Sequence, residues 1–290
     1  MEKNDLFYKA WQEIGEENFR KHIRFVWGIP VLDFVDTIVL NLPRPCWSQC
    51  AYCIDKDLIG HSMQAEDFIH TCSQVFSMFP RIKRISITGG SLYEDEFNLL
   101  LSNIVSSYDG VEITWNTNGI LSNVWSYNVK PLSFINLHRH DVDDNANAQK
   151  FHTVHHVLTL EEAKYYFGDK LSIRTVVDDD FDFDRYHALG LPLYLNRLIN
   201  GTVDTEAKFW HLFKMLENGD NGTHENRRRN GYAEFSYRGI PIRIGIGDYG
   251  VTHVPGRKAV FLNVVILHRS GKVCGSWYED DKLLKDFGQC

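Results

Sequence analysis

No run of about 18 or more uninterrupted apolar residues occurs in this chain, so no transmembrane helix is expected. A basic excess is missing too. The formal net charge is −7 over 290 residues, which argues against a large nucleic-acid surface. The one basic cluster, Arg227-Arg228-Arg229, sits in the polar stretch 218–231 and reads as a solvated loop. The first residues, Met1-Glu2-Lys3-Asn4-Asp5, lack the basic-then-apolar pattern of a signal peptide, and a cytoplasmic protein is expected. Cysteine is sparse: of six, three are clustered, while Cys72, Cys274 and Cys290 are scattered, so no disulfide framework is indicated. Internal repeats and low-complexity segments are absent. What remains is an ordinary globular composition, 43% hydrophobic and 24% charged. The length suits a single α/β barrel with extensions.

After a polar N-terminal helix over about residues 6–24, the chain reads as strands alternating with helices. Strands are expected at 37–42, 84–88, 111–116, 134–138, 171–177 and 193–196. Helices are expected at 64–78, 94–106, around 121–127, from about 159, and at 205–216. The first of these carries Phe68, Ile69, Cys72, Val75 and Phe76 at helical spacing. The next carries Phe97, Leu100, Leu101 and Ile104 on one side. Six βα units in strict alternation predict a parallel sheet with right-handed crossovers. Beyond about residue 231 the texture changes to strands linked by glycine-rich turns, a C-terminal β extension placed to cover an open side. The expected division is therefore 1–30, an N-terminal helical extension; 31–217, the βα portion; and 218–290, the β extension.

Directly after the first strand, Pro45-Cys46-Trp47-Ser48-Gln49-Cys50-Ala51-Tyr52-Cys53 spaces three thiols as C-x3-C-x2-C. Three thiolates converging from one short loop suit a soft metal centre. Structural zinc wants four ligands, usually in two paired clusters, and no fourth cysteine is near. A [4Fe–4S] cluster held by Cys46, Cys50 and Cys53 leaves one iron open to a ligand.

This loop, with an aromatic residue before its last cysteine, resembles the hallmark of the radical S-adenosylmethionine (SAM) superfamily. The resemblance covers about residues 36–200. It implies a partial (βα)6 TIM-type barrel in place of a flat sheet. It also implies an open iron that binds SAM, and reductive cleavage of SAM to a 5′-deoxyadenosyl radical that abstracts hydrogen from a substrate. An electron donor such as flavodoxin or ferredoxin is implied as a partner. The acidic, compact chain favours a small-molecule or peptide substrate over transfer RNA.

Barrel enzymes place their sites at the C-terminal ends of strands. On the resemblance, the main chain around Tyr52 meets the adenine. Thr88-Gly89-Gly90-Ser91-Leu92 resembles the family's Gly-Gly-Glu-Pro motif, which receives the SAM amino group, with Ser91 and Leu92 in place of Glu and Pro. Asn116 and Thr117 precede a Thr-Asn-Gly turn like that of the molybdenum-cofactor GTP cyclase branch, although turn chemistry alone also explains Asn118-Gly119. His138 stands where a small polar residue commonly contacts the SAM ribose; His140 shares its direction, and a polar loop start is the other reading. Arg174 is a cation in an apolar run and needs an anionic partner, which the resemblance supplies as the SAM carboxylate. Tyr194, Asn196 and Arg197 are candidates to reach substrate, as are His268, Arg269 and Trp277 if the β extension covers the site.

Two other signals carry less. Gly245-Ile246-Gly247-Asp248-Tyr249-Gly250 fits G-x-G-x-x-G but has no βαβ setting. Gly271-Lys272-Val273-Cys274 resembles the start of an auxiliary-cluster domain, yet only Cys290 lies downstream to add a ligand. The reading from another class is a non-catalytic metal-binding module, holding zinc or an iron–sulfur cluster.

Overall fold

The computed structural model describes residues 23–26, 29–44, 62–121, 126–138, 156–198, 202–218, 232–245, 251–253, 260–275 and 283–286. Its strands in chain order are β1 (Ile23–Val26), β2 (Ile29–Leu42), β3 (Arg84–Gly89), β4 (Glu112–Thr117), β5 (Ile120–Leu121), β6 (Phe134–His138), β7 (His156–Val157) and β8 (Leu171–Val177). They continue with β9 (Leu193–Arg197), β10 (Tyr232–Tyr237), β11 (Ile240–Gly245), β12 (Val251–His253), β13 (Val260–Leu267), β14 (Lys272–Cys274) and β15 (Leu283–Asp286). The helices are α1 (Ala65–Met78), α2 (Glu94–Ser107), α3 (Leu160–Phe167), α4 (Phe183–His187) and α5 (Val203–Asn218).

The six expected strands, now β2, β3, β4, β6, β8 and β9, lie side by side in chain order and parallel throughout. Two further parallel strands flank them. At one edge β11 pairs with β9, joined to β10 by a tight hairpin whose turn residues, Arg238 and Gly239, have φ of 48° and 82°. That double positive φ matches the twist of a two-residue hairpin. At the other edge β13 pairs with β2, followed by antiparallel β14 and β15. The C-terminal strands thus extend the main sheet at both edges. The strand path runs from β10 to β15, and among the described residues it does not close into a barrel.

Several local expectations change. Residues 23–26 and 29–30, expected in the N-terminal helical extension, are strand, because β1 pairs with the start of β2. Residues 1–22 lie outside the described residues. Leu121, the expected start of a short helix, belongs to β5, which pairs with β7 in a separate two-stranded sheet. Helix α4 is additional; at five residues it is too short to leave an apolar period, and Asp182 caps it by accepting from Asp184 N and Arg185 N. Helix α3 starts where Thr159 marks it, in a capping box with Glu162. No helix among the described residues is long and apolar enough to cross a membrane.

The alternation of side chains divides the sheet into two unlike faces. One face carries Ile38, Leu40, Ile85, Ile87, Ile113, Ile135, Leu137, Ile173 and Leu195, all essentially buried. The expected apolar stripes of α1 and α2 join them in one core, together with Phe209, Leu212, Phe213 and Leu216 of α5. Phe97, Trp115 and Tyr127 pack their rings at its centre, with centroids 4.6 to 5.5 Å apart. On the opposite face, Val39, Val264 and Ile266 form a small separate apolar cluster where β2 meets β13. The rest of that face is largely polar, with Phe134 and Val176 among its exceptions.

Truncating Phe97 should therefore cost about 3–5 kcal/mol, the usual loss for a buried aromatic ring. Leu99→Ala, at a half-exposed position of the same helix, should stay within about 0.5 kcal/mol. Urea unfolding of the two variants checks the contrast.

Candidate functional site

Across the polar face, four central strands are tied together by side chains. Asn116 Nδ2 donates to Ser86 Oγ at 2.9 Å and to the Ile87 carbonyl at 3.2 Å. Its Oδ1 accepts from Asn136 Nδ2 at 2.8 Å. Asn136 Oδ1 accepts in turn from Ser172 Oγ. Asn116, one of the expected cofactor residues, is therefore engaged at both ends of its amide. Asn136 and Ser172, both buried, carry no special signal in sequence.

The expected site residues on β3 and β4 gather in one cleft at the strand ends, where Gly89, Gly90, Ser91, Asn116, Thr117 and Asn118 meet apolar Leu42, Leu92, Phe97, Trp115 and Tyr127 of the helix-packed core. The glycines here are required by the chain itself. Gly89 has φ of 82°, and a Cβ on Gly90 would sit 1.7 Å from the Arg44 carbonyl oxygen and 2.6 Å from that of Leu42. The segment leaving β2 thus runs directly against Gly90 and is fixed there by a hydrogen bond from Ser91 N to Arg44 O, 3.0 Å. Thr117 Oγ1 accepts from Gly119 N at 3.1 Å and Asn118 Oδ1 from Ile120 N at 3.0 Å. These are the side-chain-to-backbone bonds of a tight turn.

Arg44 is the last described residue before the cysteine segment, and it is held from three sides. Its guanidinium makes a bidentate ion pair with Glu96, Nε to Oε2 at 3.1 Å and Nη2 to Oε1. It lies 4.3 Å from the Tyr93 ring centroid, over the ring face. Glu96 also accepts from Tyr93 N at 2.9 Å, which closes the N-terminus of α2. The hydrogen bond to Glu96 raises the Arg44 pKa above its ordinary value, against a smaller opposing effect of burial. Sequence reading had no signal for this anchor, which joins residues 52 positions apart.

Further along the same face, one register level runs from His138 on β6 to Arg174 on β8, Tyr194 on β9 and Arg243 on β11. Arg174 lies 5.1 Å from the Tyr194 ring centroid and has no acidic partner among the described residues. Arg197, by contrast, pairs with Glu206 of α5 at 3.4 Å, on the helix side of the sheet. His268 and Arg269 are buried just past β13, and the Arg269 carbonyl accepts from Met63 N at 2.8 Å. That bond ties the β13–β14 turn to the chain as it returns from the cysteine segment. Cys72 is fully buried within α1, where burial pushes its thiol pKa up, and Cys274 is buried on β14. Cys46, Cys50, Cys53, Tyr52, His140, Arg227-Arg228-Arg229, Trp277, Cys290 and the residues 246–250 of the glycine motif lie outside the described residues. Among the described residues no group of three or more His, Cys, Asp or Glu could hold a metal ion.

No protein-family model matches the chain. In sequence it is similar to the GTP 3′,8-cyclases of two Clostridium perfringens strains, SM101 and 13, each 29% identical over 168 residues. The match takes in 52% of this chain and 49% of each relative, so the chain spans about half the length of the curated relatives it matches. In fold it is similar to Streptococcus suis SuiB bound to precursor peptide SuiA, with a TM-score of 0.55 at 13% identity. That likeness covers 93% of this chain and 66% of the other. The class defined by these findings is a mixed α/β fold with a large parallel sheet, of the kind found in radical SAM enzymes. The sequence match falls in the GTP-cyclase branch that the Thr-Asn-Gly turn resembles, and it bears out the resemblance to the radical SAM superfamily.

Gly90→Ala should lower thermal stability by several degrees, because the new methyl meets main chain that cannot yield cheaply.

Proposed function

We propose that this chain is a radical SAM enzyme with one [4Fe–4S] cluster held by Cys46, Cys50 and Cys53. The observation that carries the reading is the partly buried Arg174, on the polar inner face of the parallel sheet, without an acidic partner among the described residues. A cation so placed suits a carboxylate, and SAM brings one. The three cysteines follow β2, a central strand of the same sheet. The residues present therefore fit the cofactor pair. When bound, cluster and SAM would supply the reductive cleavage that delivers a 5′-deoxyadenosyl radical to a substrate hydrogen.

The chain's own residues supply position. Arg44, clamped by Glu96 and Tyr93, sets where the cysteine segment begins. Gly89, Gly90 and Ser91 offer main-chain carbonyls and one hydroxyl to the SAM ammonium, within the cleft they share with Asn116 and Thr117. Asn116, bound on both sides, acts by keeping that cleft in shape, and Thr117 by holding the turn. By the family resemblance, the ribose falls to His138, the carboxylate to Arg174, and the adenine to the main chain around Tyr52. The substrate is a small molecule or a peptide. Similarity to GTP cyclases favours the first, and the fold of a peptide-bound neighbour keeps the second open. Flavodoxin or ferredoxin is the fitting class of electron donor.

Anaerobically reconstituted protein should carry about four irons, the content of one such cluster. A Cys46, Cys50 and Cys53 triple alanine variant should lose them, while Cys72→Ala should keep them. Arg44→Ala should fold but retain iron poorly. Zinc in place of iron, or iron lost on removing Cys72 with the trio intact, would instead point to a non-catalytic metal module or to another ligand set.

Arg174→Ala should weaken SAM binding about tenfold or more, the usual loss for a charge-assisted pair. Equilibrium dialysis measures this, and unchanged affinity would return Arg174 to a purely structural role.

A further inference from the structure

The register level that carries Arg174 holds a second cation, Arg243, contributed by the C-terminal hairpin and by none of the six βα units. Arg243 is one-third exposed and pairs with Glu234 on β10, Nε to Oε1 at 2.9 Å. Its guanidinium also lies 4.8 Å from the ring centroid of Phe134 on β6. Between β11 and β6 stand β9 and β8, so the contact spans three strand spacings, about 14 Å in a flat sheet. Phe134 begins β6 and precedes His138, the β6 residue at this level, so the Arg243 side chain extends across the polar face and back toward the strand starts. Tyr194 stands between Arg174 and Arg243 in the register.

We propose that Arg243 binds an anionic group of the substrate, a carboxylate or a phosphate, on the polar face beside Phe134. The proposal rests on the reading of that face as the cofactor and substrate cavity. Two arginines on one face then take two anions, Arg174 that of SAM and Arg243 that of the substrate. Glu234 has a defined part in this arrangement. It neutralises Arg243 while the cavity is empty of substrate, and it competes with an incoming anion for the same guanidinium. Removing the arginine and removing the glutamate should therefore act in opposite directions. A surface ion pair serving stability alone would show no such opposition.

The test is calorimetric titration of the reconstituted full chain at low salt with tripolyphosphate and, separately, with succinate. The stronger of the two identifies phosphate or carboxylate as the preferred group. Arg243→Gln should weaken that probe about tenfold, as expected for loss of a charge-assisted bond. Glu234→Gln should tighten it, and Arg84→Gln, a cation at the opposite end of β3, should leave it unchanged. Neither probe binding the wild type, equal binding in Arg243→Gln, or weaker binding in Glu234→Gln would each overturn the proposal. SAM affinity is measured on the same variants. Its loss in Arg243→Gln would make that residue a cofactor ligand, refuting the division between the two arginines without touching the cofactor reading.

Discussion

The hydrogen-bonded row Ser86–Asn116–Asn136–Ser172 is the constraint on which the rest of this structure depends. A polar group buried without a partner costs about 1–3 kcal/mol, so polar residues inside a sheet are tolerable only when they satisfy one another. Here each amide meets a neighbour on the adjacent strand, and that mutual satisfaction holds at one alignment of the strands only. A slip of one residue would turn the amides into the helix-packed core and the isoleucines onto the polar face. The row thus fixes the register of β3, β4, β6 and β8 from the inside, while the helices fix it from the outside.

Once the register is set, the strand ends fall into place. Gly89 and Gly90 come up against the chain leaving β2. Arg44 is delivered to Glu96, and the cysteine segment starts from an anchored point. Return of the chain is anchored as well, by Met63 on the β13–β14 turn. Loop-borne ligands positioned by a rigid scaffold are the usual way a sheet builds a site. Above the amide row lies the level of His138, Arg174 and Tyr194, which sets Arg174 toward the strand ends. An anion is the ligand such a cation favours.

Much of this was legible in the sequence. Apolar periodicity located α1 and α2 with their buried faces, and β6 and β8 fall on the residues the pattern indicated. Arg174 announced itself as a lone cation in an apolar strand. Arg243, between Ile242 and Ile244, carries the same signal and was passed over because its strand lay beyond the expected units. Long-range pairing was the part that could not be read. Nothing local in β13 says that it will lie parallel to β2, more than 200 residues earlier in the chain, and nothing in Arg44 names Glu96. The glycine pair illustrates a subtler limit. In sequence it resembles a cofactor-binding motif, while what comes against Gly90 in the described structure is the chain's own backbone.

Electron paramagnetic resonance of the anaerobically reconstituted, dithionite-reduced protein, recorded with and without SAM, bears most directly on the central claim. The account predicts the signal of a reduced [4Fe–4S] cluster that changes when SAM is added, since an iron lacking a cysteine ligand is open to it. A cluster signal indifferent to SAM, or no cluster signal from protein loaded with iron and sulfide, would contradict it.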